Sequence, residues 1–184
     1  MIKRVLGIDC SSTTIGYCLL EINDETKDIK YILSDYFKPN KKGSIIERIV
    51  HTRNFINEIL NQYTPDYIGI EEIIQFMQGK STAKTIITLT TFNRAVCLAA
   101  YDFLNKSPEL FNVMSIRHGL KINKIFPKKE DMPDLVSKHL GITFPYRLNS
   151  KNKIKVESYD VADGIAVALY YAFVLTDKIK VKKK

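Results

Sequence analysis

Three stretches of this chain, far apart in sequence, each set a carboxylate at the margin of an apolar run. They are Val5-Leu6-Gly7-Ile8-Asp9, Tyr67-Ile68-Gly69-Ile70-Glu71, and the pair Asp160 and Asp163 at the head of the apolar segment Gly164 to Val174. A carboxylate closing a buried strand is costly unless something cationic meets it. Two strand-end acids, with two more one helical turn apart on one face, can close into a compact negative pocket. Oxygen-only donors suit Mg²⁺, which prefers carboxylates plus water to an all-protein cage. Two such ions about 3.5–4 Å apart activate a water and stabilise a leaving oxygen, the two needs of phosphodiester hydrolysis. Each acid also has an ordinary structural explanation. Asp9 suits a turn that hydrogen-bonds its own backbone, Asp160 a helix N-cap, and both helical acids are favoured near an N-terminus by the dipole. None of these explains all three sites together on a basic protein. Glu71 and Glu72 are neighbours, and alternation does not say which one faces the pocket.

The elements that must position these acids follow from periodicity. Lys3–Asp9 reads as a buried strand, Ser11–Thr14 as a polar turn, and Ile15–Ile22 and Ile29–Phe37 as further strands of an antiparallel meander with polar linkers. Ser44 with Glu47 forms a capping-box pattern ahead of an apolar stripe that runs to Tyr63, where Pro65 follows. Tyr67–Glu71 is a fourth strand, Ser81–Leu104 a long Thr-rich helix, and Phe111–Ile116 a fifth strand. Glu130–Leu140 is a short helix stopped by Gly141, Thr143–Lys155 a basic loop, and Val161–Leu175 the last helix, with Asp160 as its N-cap. The order βββαβαβα, with one extra helix late, predicts a single α/β domain over residues 1–176 and a basic tail over 177–184.

Bulk properties narrow the partners. The 184 residues suffice for one domain with a sizeable core, and the formal charge of +8 favours a polyanion, most simply nucleic acid. A Lys-rich protein from an AT-rich genome would show the same charge. Ten of the basic residues lie between Arg117 and Lys155 against three acids, a local balance of +7 that runs directly into the Asp160 region. Arg117, Lys121, Lys128 and Lys129 in that segment suit a phosphodiester track; a solvated basic loop is the plainer alternative. Cys10, Cys18 and Cys97 form no CxxC pattern, and with three His a Cys/His zinc site is not expected. No signal peptide is read, because Asp9 interrupts the first apolar run, and the longest apolar stretches are read as too short for a bilayer. The expectation is an intracellular, cytoplasmic protein with no membrane partner.

Gly7-Ile8-Asp9 with Ser11-Ser12-Thr13-Thr14-Ile15-Gly16-Tyr17 resembles the opening motif of the RuvC-type Holliday junction resolvases, in the RNase H-like superfamily. Gly69-Ile70-Glu71-Glu72 resembles their second motif, and Tyr159-Asp160-Val161-Ala162-Asp163-Gly164-Ile165-Ala166-Val167-Ala168 their final helix. The resemblance implies an RNase H-like fold with a central mixed five-stranded sheet, its first three strands antiparallel, flanked by helices. It implies Asp9, Glu71, Asp160 and Asp163 as the acids of a two-ion Mg²⁺ site in which Mn²⁺ can substitute. Lys129 matches a family lysine near the cleaved backbone, and Lys121 another. Arg94 to Ala100 resembles the family's dimer helix. Phe76-Met77 resembles a loop that places an aromatic residue against bases at the junction centre, although Phe76 equally suits a loop aromatic packed on its own domain. The family's first loop often has Pro-Gly after the Asp where this chain has Cys10-Ser11, and the long helix carries Thr88, Thr91 and Ala95 in place of glycines.

The implied activity is metal-dependent cutting of four-way DNA junctions by a homodimer, since two symmetric nicks need two sites related by a two-fold axis. Other readings stay open. They are an RNase H-like nuclease acting on RNA–DNA hybrids or structured RNA, and a non-catalytic junction-binding protein. The Asp-x-Ser-Ser-Thr-Thr segment also looks like the phosphate loop of actin-like ATPases and sugar kinases, but those need two lobes that 184 residues cannot hold.

Overall fold

The computed structural model describes residues 1–73 and 82–179. Phe76, Met77 and the terminal lysines 180 and 182–184 lie outside the described residues. Strands β1 (Ile2–Cys10), β2 (Ile15–Asn23) and β3 (Ile29–Phe37) form the expected antiparallel meander. The first turn is closed by Ser11, whose Oγ accepts the Thr14 N–H at 2.9 Å. Helix α1 (Ile45–Tyr63) starts at the Ser44–Glu47 capping box and ends at Thr64, which takes a left-handed conformation (φ 44°) before Pro65. Strand β4 (Tyr67–Glu71) returns parallel to β1, and β5 (Glu109–Phe111) lies parallel to β4. The sheet order is β3-β2-β1-β4-β5. Helix α2 (Ala83–Leu104) precedes β5, and α3 (Val113–Leu120), a 3-10 turn over Lys129–Asp131, α4 (Met132–Leu140) and α5 (Glu157–Leu175) follow it.

Strand alternation divides the core into two layers. Val5, Cys18, Leu20 and Ile22 face α3, α4 and α5, whereas Leu6, Ile8, Ile15, Leu19, Ile68 and Ile70 face α1 and α2. Both faces of β1 are therefore buried, which is why its sequence reads as a continuous apolar run rather than an alternating one. Helix α5 packs chiefly on β1 and β2. Its approach is set by glycines: a methyl group at Gly7 would overlap the Ala168 backbone, and one at Gly16 the backbone carbonyl of Asp160.

Three expectations need correction. Phe111–Ile116 is not a strand: β5 ends at Phe111 and α3 begins two residues later. Asn112 caps that helix, its Oδ1 accepting the Met114 N–H at 2.8 Å, and Ile116 and Leu120, one turn apart, are the residues α3 buries. The β-rich composition of this segment concealed a cap followed by a helical period. Asp160 is not an N-cap, because α5 begins at Glu157 and places Asp160 in its first turn. Beginning earlier, α5 is also long and apolar enough to cross a bilayer by length and composition alone. It is instead the central core helix, buried from Val161 to Ala172.

Candidate metal centre and nucleic-acid interface

Register brings the strand acids together. Val5, Gly7 and Asp9 share one face of β1, the face that packs on α5. Ile8 pairs with Ile70 across the parallel β1–β4 ladder, so Asp9 and Glu71 occupy the next level, side by side. Tyr67, Gly69 and Glu71 share the α5 face of β4; Gly69 sits against Phe111 and Tyr171, while Glu72 is exposed. Between the two adjacent acids, strand parity thus selects Glu71.

The helical acids arrive from above. Asp9 is opposite Gly16 in the β1–β2 register, and a methyl group at Gly164 would overlap the backbone of Gly16 and Tyr17. The two glycines let the first turns of α5 rest on β2 beside Asp9. Two ion pairs hold that end of the helix: Glu157 with Lys38, and Arg147 with Asp35 of β3 at 2.9 Å. The Arg147 N–H also donates to Ser158 Oγ at 2.9 Å. These ties were not read from the sequence, since ion pairs across more than a hundred residues leave no local signal.

Carboxylate oxygens of Asp9, Asp160 and Asp163 lie within 4.8 Å of one another. Glu71 stands beside this triad rather than within it. Lys129 reaches into the cluster, its Nζ 3.0 Å from Asp160 Oδ1 and 3.3 Å from Asp163 Oδ2. Burial holds the Asp9 carboxyl well above the ordinary carboxylate range, and the charges of Glu71 and Asp163 push the same way. Glu71 is raised from 4.5 to about 7, first by burial and then by Asp163, with Arg117 and Lys129 opposing. Burial raises Asp163 too, against Lys129 and Arg117. For Lys129, burial disfavours the charge, but Asp163, Asp160 and Asp9 outweigh it and raise the ammonium's pKa. Four acids crowded in a poorly solvated site, all oxygen donors, form a set whose ionised state needs a cation. They fit a divalent ion; the chain's own Lys129 meets part of that need.

Arg117, on α3, acts on Glu71 and Asp163 electrostatically, and its buried Nε has no hydrogen-bond partner among the described residues. Lys121 Nζ, at the end of α3, lies 3.0 Å from His118 Nε2. The Lys128 side chain is exposed, and its backbone N–H donates to Asp131 Oδ2 at 2.8 Å. The basic loop contains an ordered hairpin. Asn149 Oδ1 accepts the N–H groups of Lys151 and Lys153 at 2.9 and 3.0 Å, and the Lys155 N–H donates to the Arg147 carbonyl at 2.8 Å.

A five-stranded sheet in this order, crossed by one helix that brings two acids to the acid-bearing ends of β1 and β4, defines an RNase H-like nuclease fold. The same fold is found in T. thermophilus RuvC in complex with a Holliday junction substrate, with a TM-score of 0.70 at 19% identity over 95% of this chain and 94% of that one. A family model described as crossover junction endodeoxyribonuclease RuvC matches residues 5–125. RuvC of Ehrlichia canis is 27% identical over 170 residues, 92% of this chain and 96% of that protein. RuvC of Acidobacterium capsulatum is 30% identical over 86 residues, 44% of this chain and 50% of that protein. The chain belongs to the RuvC family of crossover junction endodeoxyribonucleases. The family match includes Asp9 and Glu71 and stops short of Lys129 and α5, so Asp160 and Asp163 rest on the geometry above.

Proposed function

We propose that this protein resolves four-way DNA junctions as a homodimer, hydrolysing one phosphodiester in each of two strands at a site where Asp9, Glu71, Asp160 and Asp163 hold two Mg²⁺ ions. The observation that carries the reading is the convergence of the Asp9, Asp160 and Asp163 oxygens within 4.8 Å of one another, beside a raised Glu71. When bound, Mg²⁺ supplies a water acidic enough to attack near neutral pH and stabilises charge on the leaving oxygen. The four acids hold the ions, and Mn²⁺, with similar ligand preferences, substitutes. Lys129 neutralises the cluster in the metal-free protein and is the nearest cation for the charge of a bound phosphate. Arg117 supplies a second positive charge on the Glu71 side. Lys121 and Lys128 extend the track along the strand being cut, and Phe76 contacts bases at the junction centre.

The outer face of α2 supports the dimer. Ile87, Leu98 and Tyr101 are exposed there, and with Arg94 they recur at four- and seven-residue spacings that make one stripe. A cavity beside the stripe is lined by Arg94, Cys97, Leu98, Tyr101, Pro108 and Leu110. The three cysteines are unpaired, which supports a reducing, cytoplasmic setting.

Cleavage of a labelled four-way junction, compared with linear duplex and RNA–DNA hybrid, tests the reading with Mg²⁺, Mn²⁺ and chelator. Paired metal-dependent nicks in the junction are expected, and Asp9→Asn is expected to abolish them while leaving junction binding in place. Cutting confined to the hybrid, or turnover retained in Asp9→Asn, would overturn it.

A further inference from the structure

Helix α2 buries Phe92, Val96, Ala99 and Ala100, and one polar residue among them, Asn93, which is fully enclosed. An amide in such surroundings is costly unless its donors and acceptor are met. They are met in a directed way. Asn93 Nδ2 donates to the backbone carbonyl of Glu71 at 2.9 Å, and Cys97 Sγ, one turn further along α2, donates to Asn93 Oδ1 at 3.6 Å. Arg94 Nη1 lies 3.9 Å from the same sulfur. Burial keeps the Cys97 thiol protonated and able to donate. The Glu71 carbonyl, which can only accept, requires the amide nitrogen on its side, and the thiol's donation to Oδ1 complements that orientation.

The accepting carbonyl occupies an unusual position. The β1–β4 ladder reaches only the Ile8–Ile70 register, so Glu71 is the residue at which that pairing has ended. Its carboxyl is nevertheless held in a buried site beside Asp163. On the other side the β4–β5 ladder still holds this end, Glu71 pairing with Phe111 and the Glu72 N–H donating to the Phe111 carbonyl at 2.9 Å. With no ladder on the β1 side, a shift of Glu71 would swing the carboxylate away from the other acids.

We propose that Asn93 is a positioning residue: its buried amide clamps the Glu71 carbonyl to α2 and so aims the Glu71 carboxylate at the metal centre. The clamp joins the active site to the same helix whose outer face carries Arg94, Leu98 and Tyr101, the surface assigned above to the partner subunit. This inference rests on the reading of Glu71 as one of the metal-holding acids.

The test is Mn²⁺ binding to the metal-stripped full-length protein, followed by electron paramagnetic resonance, with hydrogen exchange of the β4 peptide as a second readout. Asn93→Leu keeps the branched outline of the side chain, with bulkier methyl groups in place of the amide oxygen and nitrogen, and removes the donor. It is expected to weaken Mn²⁺ binding by about tenfold, in line with losses on removing groups that orient metal ligands, and to speed exchange at the end of β4. Oligomeric mass and junction binding in chelator should match the wild type, and excess metal should recover much of the cleavage. Thr52→Val, at another fully buried polar side chain on α1, should leave Mn²⁺ affinity unchanged. A folded Asn93→Leu with wild-type Mn²⁺ affinity overturns the inference. If Asn93→Leu does not fold, the half-buried Cys97→Ala decides. A smaller weakening in the same direction supports the clamp, and wild-type affinity overturns it. Glu71→Gln separates the two levels of the argument. Unchanged Mn²⁺ affinity there overturns the role of Glu71 and this inference with it, whereas a weakened Glu71→Gln beside an unaffected Asn93→Leu overturns this inference alone.

Discussion

Lys129 and the acids around it are held in balance by burial, and that balance is measurable without substrate. In the metal-free protein Glu71 takes up its proton at about pH 7, against an ordinary value of 4.5. A folded-state pKa raised above the unfolded one stabilises the protein below the lower value, and this contribution is lost as pH rises through the higher. Asp9 and Asp163 shift in the same direction. Calorimetry in chelator is therefore expected to show stability falling from about pH 4.5 to about pH 7 and just above, with Glu71→Gln flattening the fall and Mg²⁺ removing it. A Glu71→Gln profile superimposable on the wild type would show that the carboxylate ionises there at no cost. Lys129 has two opposed effects. It shields the acids when no ion is present, so it competes with metal, and it is the cation nearest a bound phosphate. Lys129→Met is expected to bind Mn²⁺ more tightly yet cut about a hundredfold more slowly, the usual order for loss of one charge-stabilising donor. Tighter binding with an unchanged rate would leave Lys129 as a shield only.

At the scale of elements, the site depends on how closely α5 can lie on β2. Gly164→Ala introduces a methyl group with no room against the Gly16–Tyr17 backbone, so the helix must lift. The expected result is a loss of about 1–3 kcal/mol in stability together with weakened metal binding, because Asp160 and Asp163 move with the helix. Gly141, at the end of α4, provides the contrast. Its φ is +65° and a methyl group there meets open space, so Gly141→Ala should cost about 1 kcal/mol of backbone strain and leave metal binding intact. If both variants lose stability but keep wild-type Mn²⁺ affinity, the glycine contact does not position the acids. The same elements show what was legible beforehand. The meander, the Ser44–Glu47 cap, β4 and the acid-bearing segments could be read because each depends on local periodicity and short-range capping. Helix α3 could not, since Phe111, Val113 and Ile116 favour strand locally and only packing of Ile116 and Leu120 beneath the sheet settles the period. The start of α5 lacks a local signal for a related reason: Val156 offers no side-chain cap, and the Lys38–Glu157 and Asp35–Arg147 ion pairs hold that turn instead. Gly16 and Gly164 were visible as letters of a motif, but their close approach exists only in three dimensions. Asn93 had no local signal at all.

At the scale of the whole molecule, the charge surplus and the acid cluster divide the work of binding from that of cutting. Of the +8 formal charge, +7 falls between Arg117 and Lys155, yet those cations are not equivalent in the fold. Lys129 is drawn into the acid cluster, Arg117 faces it, and Arg147 is paired with Asp35. Lys151 and Lys153 are different. They stand exposed on the hairpin closed by Asn149, with no acid among residues 141–156 to neutralise them. Side chains so placed can gain affinity only by displacing counterions from DNA phosphates, a contribution that depends on salt and not on the chemistry of the cut. Replacing both with Ala is expected to make the slope of log affinity against log salt shallower by about two units, since each phosphate that a cation neutralises on duplex DNA adds about 0.9 to that slope. Affinity should fall most at low salt, while the single-turnover cutting rate at saturating protein and Mg²⁺ stays as in the wild type. Junction binding measured across a salt series by fluorescence anisotropy, with chelator present to prevent cutting, reads the slope directly. An unchanged slope would mean the hairpin points away from the DNA. An altered cutting rate at saturation would mean that it helps to set the position of α5, which it joins two residues before Glu157, and that binding and cutting are not separable at this edge of the molecule.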